Sequence, residues 1–188
     1  GWTAAAAVRA LAPVYWACLA MSLTWAGLFA TVLPLVGDRR YGLPAGAIGL
    51  AMGAGYLADV VALTALALLI DRVRQDRLFL AGALTVMVGA GLLVVGAAPA
   101  AFVVATVLIA CGFAVWMVPA TVLTARVGTP LPPAPLALLR IAMDIGMILG
   151  PLASGALVEL AGDRAAVVAT AVVFVAGAAG LAGRRGRV

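Results

Sequence analysis

The sequence contains no histidine and no lysine, and only 10% of its 188 residues are charged. Without histidine the chain has no His–Zn site, no Ser–His or Cys–His nucleophile pair and no HExxH motif, which removes most familiar hydrolase chemistry. The two cysteines, Cys18 and Cys111, both lie in apolar runs and imply no disulfide framework. We therefore predict a protein that is not an enzyme and that holds neither a metal nor a cofactor.

Hydrophobic residues make up 66% of the chain, whereas an ordinary soluble domain is about 45–50% apolar. A soluble domain of this size leaves roughly 30% of its chain surface exposed, so it has no means of hiding so much apolar area. We predict a membrane protein with a lipid bilayer as its main partner. The basic residues are all arginine and are scattered between long apolar runs. That pattern is typical of membrane loops, and we expect no nucleic-acid partner.

Uncharged runs divide the chain into helices. A spanning helix needs about 20 apolar residues, and the uncharged run 78–125 is too long for one helix and contains a break at Gly96–Pro99. The sequence therefore predicts an all-α, polytopic fold that forms a single domain over residues 1–188. Six transmembrane helices are expected at about 11–36, 45–70, 78–97, 100–125, 136–160 and 165–182.

The arginines predict the orientation of these helices. Six spans place both termini on one side of the membrane, together with the second–third and fourth–fifth loops. That side carries Arg9, Arg72, Arg74, Arg77, Arg126, Arg184, Arg185 and Arg187, with Arg140 just inside a helix start. The other side carries only Arg39, Arg40 and Arg164. Because cytoplasmic loops are enriched in arginine, we predict a multi-pass protein of the plasma or inner membrane with both termini in the cytoplasm.

Two glycine pairs predict close helix packing. Gly49-xxx-Gly53 lies in the second predicted helix and Gly146-xxx-Gly150 in the fifth. Small residues at this spacing let helix backbones approach each other in lipid, where no hydrophobic drive joins two helices. We expect both pairs to lie against neighbouring helices.

Two motifs resemble those of the major facilitator superfamily. The loop after the second predicted helix contains Asp71-Arg72 and the basic Arg77, similar to the family signature G-x-x-x-D-R-x-G-R-R. At the two glycine positions of the signature this chain has Ala67 and Arg74, and at the next arginine position it has Gln75. The fifth helix contains Gly146-Met-Ile-Leu-Gly150-Pro151-Leu-Ala-Ser154-Gly155, similar to the element G-x-x-x-G-P-x-x-G-G of proton-coupled exporters.

The resemblance implies half of a transporter, built from two inverted three-helix repeats. The fourth predicted helix carries no charge, whereas the family's first half usually has an arginine there. The chain is therefore expected to be the C-terminal half, which works with an N-terminal six-helix half by alternating access. The implied function is secondary active transport of a small molecule, with H⁺ as the coupling ion and export as the direction.

Among the charged residues of the predicted helices we single out Asp59, Arg140 and Asp144, because charge inside a membrane is costly and points to function. Asp59 lies about 20 Å into its helix and is a candidate for proton coupling or for a packing hydrogen bond. Arg140 and Asp144 stand four residues apart and share a helix face. They form either a permanent neutral pair or a pair that opens when Asp144 takes up a proton.

The substrate is expected to be lipophilic or drug-like, because few charges are available to line a cavity. Trp25 and Trp116 are the candidate cavity residues, since they lie deeper in their helices than aromatic residues that anchor at the interface. Two other hypotheses stay open at this point. One is an intramembrane aspartyl protease that uses Asp59 and Asp144, and the other is a membrane scaffold that transports nothing.

Overall fold

A computed structural model describes residues 4–69, 73, 75–126 and 133–182, and every element in these ranges is helical. The helices are α1 (Ala4–Gly27), α2 (Leu33–Arg39), α3 (Ala45–Leu69), α4 (Gln75–Val95), α5 (Pro99–Arg126) and α6 (Pro133–Ala182), with a π-helical turn at Leu28–Val32 between α1 and α2. The predicted all-α class is confirmed.

The π-helical turn joins α1 and α2 into one long helix. At its end the Leu33 N–H donates to the carbonyl of Leu28, five residues earlier. Pro34 follows directly, and a proline has no N–H and crowds the carbonyl four residues before it, here that of Ala30. The wider π turn thus lies where the proline disturbs the normal hydrogen-bond ladder, and the helix continues past it without a break in the chain direction.

The first part of α6 runs parallel to α1. Gly146 of α6 lies against Leu23, and one turn later Gly150 lies against Gly27. These contacts advance in the same direction along both helices. They bring the two helix backbones into close contact along this stretch, which we call the α1–α6 seam.

Helices α3, α4 and α5 pack beside one another on the other flank of the core. Gly89 of α4 lies against Ile109 of α5, and Gly112 of α5 lies against Val86 of α4, so these two helices are antiparallel. Gly55 of α3 contacts Thr106 of α5. Fully buried aromatic side chains fill the space between the two flanks, namely Phe29, Phe102 and Phe174.

Helix α6 is broken at Gly162, where φ is 82° and ψ is 169°. The chain reverses there, because Gly177 in the second part of α6 returns to contact Ala20 of α1. Asp163, just past the break, lies 3.7 Å from the Arg39 guanidinium at the end of α2. The predicted fifth and sixth helices are therefore two antiparallel parts of α6, which enclose α1 from two sides.

Replacing Gly162 with alanine is expected to destabilise the protein by about 1–3 kcal/mol, because only glycine adopts this backbone conformation without strain. Unfolding in detergent, followed by circular dichroism, measures the change. The matched control is Gly49→Ala, since Gly49 is helical and a Cβ there would meet nothing within 4 Å. The control should be neutral or stabilising by up to about 1 kcal/mol. Equal effects of the two substitutions would contradict the strained turn.

The loop between α2 and α3 is fastened to the α4–α5 connection. Arg40 Nη2 donates to the carbonyl of Gly96 at 3.1 Å, and the Tyr41 hydroxyl donates to the carbonyl of Leu93 at 3.3 Å. Burial raises the pKa of Tyr41, and the neighbouring Arg40 offsets part of that rise. The hydroxyl therefore stays protonated and keeps its role as a donor.

Within the described residues, three stretches are long and apolar enough to cross a membrane: Leu11–Arg39, Ala45–Leu68 and Ala137–Gly177, the last of which contains the break at Gly162. Two shorter apolar stretches, Leu80–Val95 and Pro99–Ala114, lie between them. Large apolar side chains also cover the outside of the bundle, as at Leu50, Leu68 and Leu160, which are at least 77% exposed. These features indicate a membrane protein, and the count of six transmembrane helices stays a prediction.

Candidate functional site

A cavity of about 270 Å³ lies between α1, α3, α5 and α6. Its volume is close to the lower end of the range for small-molecule sites, about 300–1,000 Å³. Most of its wall is apolar. The residues that line it are Met21, Ser22, Trp25, Asp59, Leu63, Phe113, Arg140, Met143, Asp144 and Met147. All three charged residues that the sequence placed inside the membrane are in this set.

Asp59 reaches the cavity from α3, about 21 Å along the helix from Ala45 at 1.5 Å per residue. Its side chain is half-buried. On the facing helix α5, the Cys111 thiol lies 3.9 Å from the carbonyl oxygen of Ala58, the residue that precedes Asp59 in the sequence. No ion pair or hydrogen bond to the Asp59 carboxylate is formed by the described side chains, so its charge is not neutralised by them.

Arg140 and Asp144 form an ion pair at the cavity wall. Arg140 Nε lies 3.1 Å from Oδ1 and 3.2 Å from Oδ2 of Asp144. The two side chains are 74% and 51% exposed, so the pair stands at an open side of the bundle. The structure therefore contains the paired form of these residues, which is common to both hypotheses about them.

Trp25 lies on the aromatic wall of the cavity. Its ring stacks on Phe29 with centroids 4.1 Å apart, and Phe113 meets it edge-on at 5.0 Å. Tyr56 of α3 contacts the same ring at 5.9 Å. The other predicted cavity residue, Trp116, belongs to α5, but its side chain is not among those that the structure describes.

The motif glycines of α6 face α1 and not the cavity. A Cβ on Gly146 would stand 2.5 Å from the carbonyl oxygen of Leu19, and one on Gly150 would stand 2.8 Å from the amide nitrogen of Gly27. Pro151 lies within the helix. Gly155 has more room, since a Cβ added there would meet a methyl group of Thr31 at 3.9 Å as its nearest neighbour.

The remaining predicted sites lie away from the cavity or outside the described chain. Asp71 and Arg72 fall outside the described residues, and Arg77 is exposed at the start of α4. Gly49 and Gly53 were expected to pack on a neighbouring helix, yet a Cβ on either would meet nothing within 4 Å. Their expected packing partner is therefore not among the helices described here, because this part of α3 faces outward.

The sequence-based prediction missed the methionines and Phe113 in the cavity wall. A signal for two of them was present, because Arg140, Met143, Asp144 and Met147 follow the spacing of one helix face. Met21 and Phe113 carry no such signal. Their positions depend on how α1 and α5 are rotated in the bundle, which a uniformly apolar helix does not reveal.

No protein-family model matches the chain, and no curated protein matches it. The resemblance to the major facilitator superfamily accordingly stays an interpretation of the two motifs.

Proposed function

We propose that the chain is the C-terminal half of a secondary active transporter of the major facilitator type. In this proposal it exports a small lipophilic compound in exchange for protons. It works by alternating access with an N-terminal six-helix half, in the cell membrane and with both termini in the cytoplasm. The degraded loop signature around Asp71, Arg72 and Arg77 lies at the cytoplasmic side in this arrangement.

One observation carries the proposal: Asp59 of α3 and the Arg140–Asp144 pair of α6, which are about 80 residues apart in the sequence, line one mainly apolar cavity. A charge in the middle of a bilayer costs about 2.5–3.5 kcal/mol on insertion scales, so such residues are rare and cluster at ion or substrate pathways. Three charged residues around one cavity therefore favour a pathway for an ion or a substrate over helix packing, which needs only uncharged partners.

The cavity offers the groups that proton exchange requires. Asp59 is a carboxylate without a partner among the described residues, and Asp144 is held by a single arginine on its own helix. A carboxyl group that takes up a proton on one side of the membrane and releases it on the other couples flux to the proton gradient. Since the chain has no histidine, carboxylates are the groups suited to this role.

Transport by the complete gene product tests the proposal. We expect inside-out vesicles to accumulate a fluorescent lipophilic dye when a pH gradient is applied. Asp59→Asn and Asp144→Asn should each lower the gradient-driven part of the flux, because an amide does not carry the proton. Glu159→Gln, at an exposed site on the same helix as Asp144, is the matched control and should leave it unchanged.

Two results would contradict the proposal. Gradient-driven flux that is unchanged in both aspartate variants would remove proton coupling through this cavity. A wild-type protein that moves no compound with or without a gradient would remove transport itself.

The shared cavity also bears on the aspartyl protease hypothesis, since Asp59 and Asp144 both line it. A catalytic pair of carboxyls shares one proton. Here both oxygens of Asp144 lie within 3.2 Å of Arg140 Nε, so the carboxyl group is paired with this arginine and not with Asp59. If the protein cleaves a membrane-embedded peptide, and if both Asp59→Asn and Asp144→Asn lose this activity, the protease hypothesis is supported and the transporter proposal is contradicted.

A further inference from the structure

The charges around the cavity do not balance. Arg140 and Asp144 neutralise each other as an ion pair, which leaves Asp59 as the uncompensated charge among the described lining residues. With its carboxyl ionised, this part of the wall carries one net negative charge. A low-dielectric surrounding strengthens the attraction of that charge for a cation.

The rest of the wall suits an organic cation better than a metal ion. The described residues contain no cluster of three or more aspartate, glutamate or cysteine residues that could hold a metal. Instead the wall offers the rings of Trp25 and Phe113 and the side chains of Met143 and Met147. Aromatic rings attract cations through their electron-rich faces, and methionine side chains adapt to ligands of varied shape.

We propose that this cavity binds a monovalent organic cation with an aromatic body, with Asp59 as its counter-ion. The inference rests on the proposed function, because it names the substrate class of the same site. The ammonium group lies next to the Asp59 carboxylate, and the aromatic body lies among the rings and thioethers. A volume of about 270 Å³ limits the ligand to a compound of one or two rings.

Equilibrium binding to the complete gene product in lipid nanodiscs tests the inference without any gradient. The probes are benzyltrimethylammonium and the anion toluenesulfonate, which are similar in size and opposite in charge. We expect the cation to bind at least about tenfold more tightly than the anion, which corresponds to 1.4 kcal/mol. Asp59→Asn should lower the affinity for the cation about tenfold and remove the preference for the cation over the anion. The control Glu159→Gln should leave both affinities unchanged.

The outcomes separate this inference from the proposed function. Equal affinity for the two probes, or an unchanged cation affinity in Asp59→Asn, overturns the inference even if the vesicles transport a dye. Selective cation binding that depends on Asp59, in a protein that transports nothing, supports the inference and contradicts the proposed function. Thermal unfolding of Asp59→Asn, followed by circular dichroism, shows whether a loss of binding comes from a loss of the folded structure.

Discussion

Gly150→Ala should destabilise the protein by about 3 kcal/mol, at the upper end of the cost of overpacking. The added Cβ would stand 2.8 Å from the Gly27 amide nitrogen and even closer to the Leu23 carbonyl oxygen. Both are backbone atoms of α1, so no rotation of a side chain relieves the clash. The α1–α6 seam must open instead, and detergent unfolding followed by circular dichroism measures the loss.

The same helix supplies the control for this substitution. Gly155→Ala places a Cβ 3.9 Å from its nearest neighbour, an ordinary van der Waals contact. It should be neutral or should stabilise the helix by up to about 1 kcal/mol, the usual gain of alanine over glycine. If Gly150→Ala were as harmless as Gly155→Ala, the backbone contact at the seam would not exist in the folded protein.

The all-helical class followed from composition because few other structures satisfy the backbone of so apolar a chain. Two helix breaks were also predictable, because the residues that cause each break lie next to one another in the sequence. Gly96 to Pro99 separates α4 from α5, and Gly162 separates the two parts of α6. The π turn before Pro34 was not predicted, because its position depends on how a helix adjusts to the proline inside the packed bundle.

The charged residues of the site were easier to predict than its walls. Asp59, Arg140 and Asp144 stand out in an apolar chain, so their presence alone marks them. That they share one cavity was not predictable, since helices that are apolar all round carry no signal of their rotation. For the same reason Gly49-xxx-Gly53 and Gly146-xxx-Gly150 look alike in the sequence, yet only the second pair lies against another described helix.

The Arg140–Asp144 pair should show a large coupling energy in a double-mutant cycle. Asp144→Ala leaves Arg140 without its partner in an apolar stretch, at a cost of up to about 2.5–3.5 kcal/mol, the insertion cost of an arginine at the centre of a membrane helix. Arg140→Ala should cost less, because a lone carboxyl can bind a proton and become neutral. The double variant removes both charges and should be more stable than Asp144→Ala alone. Unfolding of the four proteins in detergent and in lipid gives the coupling.

The size of that coupling indicates what surrounds the pair in the assembled protein. Exposed pairs at this spacing on helices in water contribute only about 0.3–0.5 kcal/mol, because water screens them. Both side chains are more than half exposed on this chain. A coupling of about 2 kcal/mol or more in lipid would mean that another protein surface or lipid excludes water from them, as an N-terminal half would do in the proposed transporter. A coupling below about 0.5 kcal/mol would mean that the pair stands in water and would remove the energetic argument for a buried charge site at this position.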